Sequence, residues 1–225
     1  MITASLPDAP HKREGGVWSY ISPSRLSLWL KCPLAFKLRY LDGIRTPTSP
    51  ALFVGRRVHQ GLERHYRHRQ LGITLDVEQV TGSVTDAWEE SAAEEGVEFE
   101  SLDEEAKLKD QAAGLVRSYL LQLPADEPQP QAVEATMEAA LVDPVSGEDL
   151  GISMLGVVDL VTETDAGTTI IDFKTSSRSA PPFEVTHEIQ LSSYAWLFRQ
   201  TRRTDRLIEW ASLGTCRKDR EVQPA

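Results

Sequence analysis

The fold is decided by S-M-L-G-V-V-D-L-V-T-E (residues 153–163), followed after Thr164-Asp165-Ala166-Gly167 by T-T-I-I-D-F-K (residues 168–174). Two apolar, β-branched runs separated by turn-forming residues predict a β-hairpin. Side chains on a strand alternate between faces, so Asp172 and Lys174 project from one side while Phe173 points into the apolar side. Folding the hairpin about residues 165–167 brings Asp159 across from Asp172–Lys174, within a residue or two of register. Two carboxylates and an ammonium then share one surface at the end of apolar strands, where partial desolvation of charge is costly. Neighbouring carboxylates repel unless a divalent cation lies between them, and Mg²⁺ or Mn²⁺ favours such oxygen ligands. A lysine beside them can steady an attacking water or neutralise charge developing on a phosphate. On these residues alone, a surface hairpin with a salt bridge between Lys174 and either aspartate is an equally good reading.

Upstream, Ser24 is expected to cap a short amphipathic helix carrying Leu26, Trp29 and Leu30. Pro33 ends it and opens a second, with Phe36, Leu38, Tyr40 and Leu41. A third helix is suggested by Phe53, Val54, Val58, Leu62 and Tyr66. Residues 76–122 read as helical with a break near Gly96, and Leu108, Leu115 and Tyr119 mark the buried face of the last piece. Pro124, Pro128 and Pro130 form a stiff linker. Residues 131–142 read as a strand, 184–201 as an amphipathic helix and 206–215 as a further strand. Helices first, then a hairpin, a helix and a strand, predict an α/β or α+β domain with a mixed sheet flanked by helices.

The 225 residues suffice for one sizeable core. With 40% hydrophobic and 26% charged residues, the composition is that of an ordinary globular chain. No stretch has the ~20 apolar residues a bilayer-spanning helix needs, so no membrane partner is expected. Residues 1–18 read as a flexible tail without a secretory signal. Two cysteines, Cys32 and Cys216, are too few for a disulfide framework, which points to a reducing, cytoplasmic setting. The net charge of −10 argues against a nucleic-acid partner until it is mapped along the chain. Residues 11–69 hold twelve Lys and Arg against three acids, whereas residues 86–110 hold eleven acids against Lys107 and Lys109. Such polarity can lay a positive surface along DNA, and it equally suits two solvated helix faces.

Five elements in order carry a family likeness: S-P-S-R-L-S-L-W-L-K-C-P-L-A-F-K-L-R-Y (residues 22–40), G-R-R-V-H (residues 55–59), G-V-V-D (residues 156–159), I-I-D-F-K-T (residues 170–175) and Q-L-S-S-Y-A (residues 190–195). Together they resemble the RecB-like branch of the PD-(D/E)XK nuclease superfamily. The resemblance implies a restriction-endonuclease-like α/β core, with a mixed central sheet flanked by helices and an N-terminal helical region. Residues 19–225 would form one nuclease domain, with 70–123 a helical insertion and 131–215 the β-rich catalytic core. It also implies that His59, Asp159, Asp172 and the Phe173 carbonyl hold Mg²⁺ or Mn²⁺, and that Lys174 is the catalytic lysine. Gln190 and Tyr194, four apart on one helix face, would contact DNA or orient that lysine. Ser24, Arg25, Arg56 and Arg57 are the expected phosphate contacts. Val158 replaces the proline of the family's name-giving pair. Many relatives hold an iron–sulfur cluster; Cys32-Pro33 matches its first ligand, but no complete set of four is found. Either the cluster is dispensed with or the chain is a shortened form, since it ends soon after the strand expected at 206–215.

The function so implied is metal-dependent hydrolysis of DNA, single-stranded or at duplex ends. Exonuclease action is favoured, in recombination, repair or phage- and CRISPR-type processing, with a helicase or recombination partner. The rivals are a catalytically inactive nuclease-like module that binds DNA or docks a helicase, and DNA binding through the basic segment alone.

Overall fold

Prolines and small polar caps set the helix starts. In the computed structural model, which describes residues 16–164, 167–176, 185–202, 208–216 and 222–223, a 3₁₀ turn over Gly16–Ser19 leads into β1 (Tyr20–Ile21) and α1 (Pro23–Lys31). The remainder of the expected tail, residues 1–15, and the hairpin turn at residues 165–166 lie outside the described residues. Ser22, not Ser24, caps α1: its side chain accepts from the Arg25 N–H, and Pro23 takes the first helical position, where a missing donor costs nothing. Pro33 opens α2 (Pro33–Phe36), which widens into a π turn over Lys37–Leu41. Ser49 and Pro50 start α3 (Pro50–Gln70), and a capping box of Asp76 and Gln79 starts α4 (Val77–Asp86). The helical stretch expected over 76–122 is three helices. α5 (Trp88–Glu95) stops at Gly96, whose φ of 61° is left-handed. α6 (Leu102–Leu121) begins at Ser101 with Asp103, Glu104 and Glu105 in its first turn, where the helix dipole favours acids.

After the linker come β2 (Pro130–Val142), β3 (Asp149–Thr164), β4 (Gly167–Ser176), α7 (Val185–Arg202), β5 (Ile208–Cys216) and β6 (Val222–Gln223). The sheet order is β1-β3-β4-β5-β6, with β2 also paired to β3. β1 runs parallel to β3, while β3/β4 and β5/β6 are antiparallel. The expected mixed sheet flanked by helices, consistent with a restriction-endonuclease-like core, is what the chain forms.

The chain divides into two compact units. One comprises Thr46–Val133, Asp159–Pro182 and Glu209–Ala225. Its core packs Phe53, Val58, Leu62 and Tyr66 of α3 against Val80 and Val84 of α4, Leu115, Val116 and Tyr119 of α6, and the strand residues Leu160 and Phe173. Tyr66 and Tyr119 satisfy their buried hydroxyls on each other at 2.5 Å, and Tyr66 donates to Glu127, which also pairs with Arg69. α3 lies tightly on its neighbours at Gly61, where an added Cβ would meet Val84 at 2.7 Å and Val116 at 3.1 Å. Gly82 of α4 faces open space. Gly61→Val should therefore lower stability by about 1–3 kcal/mol through overpacking, while Gly82→Ala should raise it by up to about 1 kcal/mol through helix propensity. Urea denaturation reads both, and equal shifts of the same sign would contradict this packing.

The other unit comprises Met1–Arg45, Glu134–Val158 and Phe183–Ile208. There α7 packs on α1 and closes on β3 at Gly156, where a Cβ would lie 2.8 Å from Leu197 and 3.0 Å from Tyr194. Phe36 anchors the helices of residues 23–41, with Trp29 edge-on at 5.3 Å and Tyr40 at 5.0 Å.

Candidate metal centre

The hairpin register fixes the acids. β3 and β4 pair Leu160 with Ile171, Val161 with Ile170 and onward to Thr164 with Gly167. One step further along the same register sets Asp159 opposite Asp172, on one face. At that step the Asp159 carboxylate accepts the Phe173 backbone N–H at 2.6 Å. Asp172 is buried, and Lys174 Nζ lies 2.6 Å from its Oδ2. Phe173 faces the other way, stacked on Tyr66 with centroids 5.9 Å apart and edge-on to Tyr119 at 5.6 Å. The alternation read from D-F-K is thus present: charge on one face, an aromatic anchor on the other.

α3 brings the imidazole. A Cβ on Gly55 would meet the Thr175 Oγ1 at 2.8 Å, so the helix lies close to β4 and a larger residue here would have to displace that hydroxyl. One turn later on the same helix face stands His59, half-buried, its Nδ1 3.7 Å from Asp159 Oδ2. This gives G-x-x-x-H a physical reason: the glycine sets the approach and the histidine uses it.

Glu134 has a φ of 48°, left-handed for a non-glycine residue, and strain of this kind clusters at functional sites. Sequence reasoning did not single it out, because in V-E-A-T-M-E nothing distinguishes Glu134 from Glu138.

Burial lifts the Asp159 carboxyl to a pKa of about 6; the nearby Asp172 charge adds to the rise, while His59, the Phe173 N–H and Lys174 oppose it. Its folded pKa lies above its unfolded value, so without metal this carboxylate costs stability above about pH 6, and the cost fades as pH falls from there towards 4. A divalent cation needs the ionised form. Mn²⁺ affinity should accordingly be flat above about pH 7 and fall by roughly tenfold per unit below about pH 6. Calorimetric Mn²⁺ titration across that range checks this, and an unchanged affinity at pH 5 would contradict it.

Among the other residues singled out, Gln190 donates to the Tyr194 hydroxyl at 2.8 Å on one face of α7, as their spacing requires. Ser24 is exposed, its hydroxyl 3.0 Å from that of Ser22. Arg25 braces the start of its own unit, donating to the Val17 and Tyr20 carbonyls and lying 3.9 Å over the Tyr20 ring. Arg56 is exposed and paired with Glu95. Arg57 is buried, donating to Gln60, Ser91 and the carbonyls of Ser83 and Val84. Cys32 is exposed, its sulfur accepting the Ala35 N–H as the cap of α2. The side chain of Cys216 lies outside the described residues.

Carboxylate oxygens and an imidazole beside a lysine are donors of the kind a hard cation favours. The chain belongs to the PD-(D/E)XK nuclease superfamily, whose family model matches residues 20–221. It is accordingly a metal-dependent nuclease. No curated protein matches the sequence. Among solved structures, the crystal structure of SSO0001 is similar over 89% of this chain and 75% of that one, at 13% identity and a TM-score of 0.32, a likeness too slight to define the fold. No helix among the described residues is long and apolar enough to cross a membrane.

Proposed function

We propose that this nuclease is a Mg²⁺- or Mn²⁺-dependent deoxyribonuclease of the RecB-like branch, degrading DNA from its ends. The observation that carries the reading is the meeting of Asp159, Asp172 and Lys174 on adjoining strands, with His59 beside them. Asp159, Asp172, His59 and the Phe173 carbonyl would hold the cation. When bound, the cation supplies positive charge to the scissile phosphate and acidifies water. Asp172 holds the Lys174 ammonium at the edge of the acidic cluster. From there the ammonium would steady the attacking water and neutralise charge on the phosphorane oxygens. Gln190 and Tyr194, tied to each other, would orient the lysine or the strand being cut. Ser24, Arg25, Arg56 and Arg57 would grip phosphates rather than bases.

The preference for DNA, the end-directed action, the cytoplasmic setting, and a role beside a helicase in recombination, repair or phage- and CRISPR-type processing rest on the motif resemblance. Release of acid-soluble nucleotides with Mn²⁺, compared for linear duplex, single-stranded linear DNA, covalently closed circles and RNA, tests them together. Linear DNA should be degraded and circles spared. Nicking of circles at the same rate removes the exonuclease reading, equal cleavage of RNA removes the DNA preference, and no cleavage of any substrate removes the enzyme.

A further inference from the structure

A cavity of about 300 Å³ opens beside α3 and α4, at the small end of the range for ligand sites (roughly 300–1,000 Å³). Its walls include Arg57, Arg64, Arg67, His68, Glu63 and Ser83. Arg57, Arg64 and His68 fall at i, i+7 and i+11 on α3, a single stripe of the helix. His59 lies about 200° round the axis from Arg57, so the cavity opens on a different side of α3 from the metal centre.

Its charge is lopsided. Glu63 is the one acid in the lining, and it is engaged by Arg67 Nε at 2.7 Å. Arg64 is exposed and makes no ion pair among the described residues. His68 donates from Nδ1 to the Arg64 carbonyl at 2.8 Å. Arg57 is only 5% exposed; its terminal nitrogens are used by Gln60, Ser91, Ser83 and Val84, yet its Nε has no hydrogen-bond partner among the described residues. Three guanidinium groups against one carboxylate suit an anion of two charges with several acceptor oxygens.

We infer that this α3–α4 cavity is a phosphate-binding site separate from the metal centre. The phosphate has two natural sources: the backbone of a nucleic-acid strand, or a free phosphate or mononucleotide. That the DNA strand supplies it rests on the nuclease reading; that the cavity takes phosphate does not, because binding there needs no metal.

The test is made in EDTA, so that failure of catalysis and failure of this site remain distinguishable. Wild type, Arg64→Glu and Lys107→Glu are titrated with a fluorescent single-stranded oligonucleotide at several salt concentrations, and separately with inorganic phosphate and a deoxynucleoside monophosphate. Arg64 is exposed, so its replacement spares the core. Lys107→Glu makes the same charge change at an exposed position on α6, outside the cavity lining. Arg64→Glu should weaken oligonucleotide binding about tenfold and reduce the log–log salt slope by about one, with Lys107→Glu near wild type. Loss confined to inorganic phosphate and the monophosphate supports the site and assigns it to the free ligand. The inference is overturned if Arg64→Glu changes neither, or if Lys107→Glu weakens binding as much, since net charge alone would then explain the effect.

Discussion

Replacing Lys174 by alanine should cut turnover by about 10²–10³-fold at saturating Mn²⁺ and DNA, the usual consequence of removing one preorganised charge from a hydrolytic site. The reason is local. Lys174 lies 2.6 Å from Asp172 on the face that also presents Asp159, and it brings the cation of the side chains through which the chain itself would stabilise an attacked phosphate. Lys174→Arg should rescue little, because a planar guanidinium cannot occupy the place of a compact ammonium. Mn²⁺ affinity should persist in both variants, since the oxygen and imidazole donors remain. Turnover within twofold of wild type would show that Lys174 takes no part in hydrolysis.

The second large effect concerns the residue between the two charges. Phe173 is buried between Tyr66 and Tyr119, so Phe173→Ala should cost about 3–5 kcal/mol, read by urea denaturation. The same change loosens the strand whose N–H holds the Asp159 carboxylate, so Mn²⁺ affinity should fall with stability although no metal-binding side chain is removed. A loss below about 1 kcal/mol would mean that β4 is held by something other than this aromatic contact.

Much of this centre is legible in seven letters. T-T-I-I-D-F-K alternates strictly enough to assign Asp172 and Lys174 to one face and Phe173 to the other, and a hairpin partner with an aspartate near its far end needs only the turn to set its register. The contribution of α3 is not readable from local pattern, because His59 stands 100 residues from Asp159 and periodicity carries no information on which helix lies on which strand. It entered through resemblance, and the physical reason is visible only in three dimensions, at the close approach of Gly55 to Thr175. The misplaced helix cap has a simpler cause: Ser22 and Ser24 are equal as caps, and Pro23 decides between them by fitting the first helical position. Ala87, the break that divides α4 from α5, carries no glycine or proline to announce it.

The central claim is that Asp159, Asp172 and His59 surround one divalent cation. Anomalous X-ray scattering from crystals soaked in Mn²⁺ tests it without reference to activity. A single strong peak within coordinating distance of both aspartate side chains and the His59 ring is predicted. A peak elsewhere, with Asp159 still accepting the Phe173 amide and Lys174 still paired with Asp172, would contradict it.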